Sequence, residues 1–160
     1  MFYKTSIKSK MASISQEGTE VTQKVMDLFK KVYADAIGGA RKTGQSIESI
    51  TYEVLEGIEE GLISKDHQTE DILNEVAEEM VELIYKHAQE NIRRSQIKKN
   101  LAEEHFYEAI EKEKAHLLAS METFQMYAKE KELPNFEKYL HVIEKKVAQK
   151  IEAIHHHFRS

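Results

Sequence analysis

Two stretches of this chain have the form Glu-x-x-His: Glu113-Lys-Ala-His116 and Glu152-Ala-Ile-His155. On a helix this spacing sets a carboxylate and an imidazole one turn apart, a pairing that holds iron or another divalent metal in di-iron helical proteins. The chemistry would be metal storage or oxidoreduction, with carboxylates between Glu75 and Glu82 completing the ligand set. Pro134 lies almost midway between the two motifs, so a hairpin about it would set them level. Helical faces separate them. At about 100° per residue, Glu113 falls within about 40° of Leu117, inside the apolar arc, with His116 at its edge; Glu152 points about 140° away from Val147. Glu113 and His116 are therefore the candidate metal pair, and Glu152 is expected on the surface. A buried carboxylate must find a partner or take up a proton, and His87, on the apolar face of its own helix, is a candidate partner for Glu113.

Ferritin-like bundles carry their two motifs on helices separated by an intervening helix. Here the helices are consecutive, which weighs against a di-iron centre. His155-His156-His157 fans out over three directions on a helix and cannot converge on one metal, so it reads as a solvated C-terminal turn. Glu137 and His141, four apart, could bridge a surface metal, but such pairs arise by chance in a chain with eight histidines. The sequence holds no hydrolase elbow, phosphate loop or HExxH motif; GGARKTG lacks the length and the preceding strand of a phosphate loop. Asp66-His-Gln-Thr-Glu70-Asp71 lacks the glycine of a calcium loop.

With no cysteine, disulfides, thiolate metal sites and cysteine nucleophiles are excluded, and a cytoplasmic location is expected. The net charge of -5 hides strong segregation. Glu48 to Glu82 holds twelve acidic residues and the single base Lys65, whereas Lys86 to Lys99 holds five bases and one acid. Glu56, Glu60, Glu75, Glu79 and Glu82 form a candidate acidic docking face. The pairs Glu56/Glu60 and Glu75/Glu79 are like charges one turn apart, which a basic partner or bases such as Lys138, Lys145, Lys146 and Lys150 on neighbouring helices would offset. Arg93, Arg94, Lys98 and Lys99 form a small basic patch, without the interleaved aromatics that would favour nucleic acid.

All six glycines lie between Gly18 and Gly61, and Pro134 is the one proline. Residues 62 to 133 thus lack the strongest helix breakers. Apolar stripes spaced by threes and fours predict an all-α fold, an antiparallel helical bundle of four to five amphipathic helices at about 15–37, 46–62, 69–97, 101–131 and 136–158. Ser46 is the expected N-cap of the second. Gly38-Gly39 is the expected end of the first, with a kink and continuation as the alternative. A single rod over 69–131 would be roughly 90 Å long, and the bases at Arg93–Lys99 with Asn100-Leu-Ala-Glu103 mark a break instead. Residues 1–12 are expected to be a disordered basic tail, with Met11 a candidate start, and 13–160 one domain. Gly57 and Gly61 share a face and predict close helix approach.

The stretch GGARKTGQSIESITYEVLEGIEEGL resembles the glycine-punctuated segment of uncharacterised bacterial all-helical proteins over about residues 36–62. That resemblance implies no activity. These features point to a non-enzymatic interaction or scaffold protein that self-associates or docks a protein partner and needs no cofactor. The alternatives are the metal-dependent bundle and reversible lipid binding. No segment has the roughly 20 apolar residues of a membrane span.

Overall fold

Among the described residues the apolar stripes become six helices and no strand. The computed structural model of the chain describes residues 2–14, 20–43, 46–62, 67–97 and 103–159. The helices are α1 (Phe2–Ala12), α2 (Val21–Thr43), α3 (Ile47–Gly61), α4 (His67–Ile97), α5 (Glu103–Glu130) and α6 (Pro134–Arg159). Buried residues from all six join one apolar cluster.

The expected basic tail is a helix. Ile7 and Met11, four apart on α1, are fully buried, and they lie against the two glycines of α3. A Cβ at Gly57 would stand 2.8 Å from the Lys4 carbonyl oxygen and 2.9 Å from Ile7; one at Gly61 would stand 2.8 Å from the Met11 sulfur. The glycine pair is therefore the seam on which α1 docks, and the segment set aside as a tail is its partner. The sequence of α1 mixes lysines and serines with few apolar residues, so its helix depends on this docking rather than on a strong stripe of its own.

Other boundaries also differ from expectation. α2 does not stop at Gly38-Gly39 but runs on to Thr43. The buried Ile37 and Ala40 on either side of the pair hold the chain in register with the core. Ser46 caps α3, its hydroxyl accepting from the Ser49 N–H at 3.0 Å. The break expected at Lys98–Asn100 lies outside the described residues. The long proline-free stretch is nonetheless two helices that fold back on each other, because α4 and α5 pack side by side.

α5 ends at a left-handed Glu132, φ 53°. The Leu133 N–H bonds the Ala128 carbonyl at 3.0 Å and the Glu132 N–H bonds that of Lys129 at 3.3 Å. These are the two bonds of a Schellman cap, here with glutamate at the position glycine usually fills. Pro134 then opens α6, where its missing N–H costs nothing. Glu70 of α4 supplies the rest of that helix start: its carboxylate accepts from the Asn135 N–H at 3.1 Å and the Phe136 N–H at 3.4 Å, and from the Asn135 side chain at 2.8 Å. An anion thus sits at the positive end of α6.

Ring contacts set the direction of the last hairpin. Tyr127 meets Phe136 at 6.2 Å and Phe106 meets Phe158 at 6.5 Å between centroids, so α5 and α6 run antiparallel. α6 packs on α4 and α5 and on no other described helix.

Candidate functional site

The proposed metal pair turns two ways. Glu113 is 2% exposed and faces α4, where its Oε1 accepts from the Asn91 amide at 3.1 Å. The same amide nitrogen lies 3.0 Å from His87 Nε2. One NH₂ group thus forks between an imidazole and a carboxylate, which orders His87, Asn91 and Glu113 into a polar row between α4 and α5. The second carboxylate oxygen of Glu113 is buried without a hydrogen-bond partner among the described residues. His116 instead faces α3, with Nδ1 3.9 Å from Glu48. Glu152 is exposed and meets His156 at 3.5 Å.

The carboxylates expected to complete the set are engaged elsewhere. Glu78 takes the Tyr139 hydroxyl, Glu79 approaches Lys30 at 4.0 Å, and Glu82 accepts from Lys146 and Lys150, each at 3.1 Å. Among the described residues no three His, Asp or Glu side chains converge as a metal site. A di-iron centre needs such convergence.

The acidic face is likewise divided. Glu56 lies between Lys4 of α1 and Lys131 in the turn after α5, and Glu60 between Lys4 and Lys8. The hydrogen bond from Lys131, aided by Lys4, holds the Glu56 carboxyl below the usual range against the opposing effect of burial. Lys4 does the same for Glu60. For Glu82, burial favours the neutral acid, yet the hydrogen bonds from Lys146 and Lys150 outweigh it and lower the pKa. The like charges of α3 are offset from within the chain, largely by α1. Lys146 and Lys150 were legible as partners; Lys4, Lys8 and Lys131 were not. Glu75 is exposed. Of the basic patch, Arg93 and Arg94 are exposed near the end of α4, while Lys98 and Lys99 lie outside the described residues.

Three phenol–carboxylate bonds tie the helices together: Tyr52 to Glu130, Tyr127 to Glu59 and Tyr139 to Glu78. Each phenol pKa is raised, by burial first for Tyr52 and Tyr127 and by the Glu78 bond first for Tyr139, which reaches about 12. Tyr33 is fully buried and meets the Thr51 hydroxyl at 2.7 Å. These contacts position helices.

Among the described residues, an open furrow runs along the outer side of the α5–α6 hairpin. One depression, of 530 Å³, is lined by Leu118 and Met121 of α5 with Val147, Ala148 and Ile151 of α6. A second, of 710 Å³, runs on toward Pro134 past Gln125, Lys129 and His141. Glu144 borders both, so the two lie end to end along the hairpin. Leu118 is 55% exposed in the apolar part. The sequence reading did not single out this furrow. Leu117 and Leu118 are adjacent, and only the side that α3 and α4 cover shows which of the two is left in solvent. No protein-family model, no curated protein and no solved structure matches the chain.

Proposed function

We propose that this chain is a non-enzymatic helical interaction or scaffold protein, an antiparallel bundle of the cytoplasm that acts by self-association or by docking a protein partner. The observation that carries this reading is the α5–α6 furrow, where Leu118 stands 55% exposed beside Ala148 and Ile151. Exposed apolar side chains set between charged rims are how helical proteins present a binding surface. The acidic residues contribute less, because Glu56, Glu60 and Glu82 already hold lysines of the same chain. No described helix is long and apolar enough to cross a membrane, which favours a surface for protein over one for stable insertion. Light scattering coupled to size-exclusion chromatography, with pull-downs at low salt, tests the reading. Self-association or recovery of a saturable partner is expected; a strict monomer that recovers none overturns it.

A further inference from the structure

We propose that the α5–α6 furrow is closed by a second copy of this chain, the two hairpins meeting face to face about a two-fold axis beside Val147. This rests on the binding reading above and names its partner. Because α6 packs only on α4 and α5, the furrow side of α6 has no covering helix among the described residues.

Helix register shows what such an axis would bring together. Tyr127 stands opposite Phe136 and Phe106 opposite Phe158, so Lys114 lies at the height of Lys150 and Leu118 at that of Lys146. A half-turn at the height of Val147 carries Glu144 of each copy to Lys114 of the other. It also carries Glu152 to within one residue of His141, and sets the exposed Leu118 opposite Ala148, whose small side chain leaves room for it. All of these residues line the furrow. In an isologous interface each contact occurs twice, so one patch must be complementary to itself, as this one is in both charge and volume. The competing intrachain pairs are loose. Lys114 meets Glu111 at 3.5 Å, and Glu152 meets His156 at 3.5 Å with both side chains 72% exposed. The exposed Glu152–His156 pair in particular exchanges readily for a better one. Glu144 and His141 make no ion pair among the described residues.

The test is sedimentation equilibrium of the full chain over a concentration series, for the wild type, Leu118→Asp, Glu144→Lys, and Glu144→Lys combined with Lys114→Glu. Circular dichroism of each variant should match the wild type, since Leu118 and Glu144 are exposed and Lys114 is half-buried with its amine paired to the exposed Glu111. The wild type should form a dimer. Leu118→Asp should raise the dissociation constant at least about tenfold, as expected for a charge placed in an apolar contact. Glu144→Lys should raise it roughly fivefold through two lost rim pairs, and the double variant should recover most of that loss. A dimer indifferent to all three changes overturns the proposal, and so does a wild type that stays monomeric. A monomer that binds a different protein through Leu118 overturns the second copy but leaves the binding reading standing, whereas a monomer with no partner overturns both.

Discussion

Tyr139 shows how a single residue can report on packing. Its hydroxyl is bonded to Glu78 across α4 and α6, and this bond, with burial, lifts its pKa to about 12. Tyr33, Tyr52 and Tyr127 are raised further, with burial the first cause in each. An ultraviolet titration should therefore show Tyr139 ionising at about 12 and these three only as the fold opens in alkali. Ionisation of all four near the ordinary value of about 10 would mean the contacts are not kept in solution. Glu56 gives the acid-side counterpart. Its folded pKa lies below the unfolded value of 4.5, chiefly through Lys131. The unfolded chain thus binds the proton more readily, and the stabilisation is full above 4.5 and disappears as pH falls through the lowered folded value. Glu56→Gln should cost about 1 kcal/mol at neutral pH and flatten the acid limb of stability, read from urea midpoints over a pH series. An unchanged acid limb would show that Glu56 is not paired.

At the scale of the element, glycines of one chemical type have opposite roles. Gly38 sits inside α2 with nothing within 4 Å of an added Cβ, whereas the same Cβ at Gly57 would press on the α1 backbone. Gly38→Ala should stabilise by about 0.5–1 kcal/mol from helix propensity alone. Gly57→Ala should destabilise, because overpacking costs about 1–3 kcal/mol and outweighs that gain. Thermal unfolding of the two variants reads the signs directly, and a shared sign would contradict the seam. Glu70 makes a second element-level case. It caps α6 from another helix, so Glu70→Ala should lose about 1 kcal/mol in urea unfolding and Glu70→Gln less, since the amide oxygen can still accept. Equal losses would show that charge, rather than the hydrogen bonds, carries the effect.

Across the whole molecule, all six described helices contribute to one apolar cluster, and polar links join both consecutive helices, as in Tyr33 to Thr51 and Asn91 to Glu113, and helices further apart in the chain, as in Lys4 to Glu56 and Glu70 to Asn135. Such coupling should make unfolding a single cooperative step. Far-ultraviolet circular dichroism and tyrosine fluorescence should trace coincident urea transitions. A separate early loss of helix signal would mean that α1 opens on its own, and with it the lysines that offset Glu56 and Glu60.

Five of the six described helices, most of their ends and the apolar stripes were legible in the residues, because period, caps and breakers are local properties; α1 was not. Ser46, Pro134 and the shared face of Gly57 and Gly61 carry their meaning within one or two turns of chain. Partners were not legible, because contact between residues far apart in sequence follows from packing, which no short window contains. Thus Glu113 could be placed toward the core, while its bond to Asn91 and the turning of His116 toward Glu48 could not. The acidic run was visible, but that the opening lysines would neutralise part of it depended on α1 reaching the glycine seam. Sequence alone determined an all-α chain with charge kept in blocks. Tertiary structure decided which charges are spent inside the molecule, and it left Leu118 in the open because no other described helix covers the α5–α6 furrow.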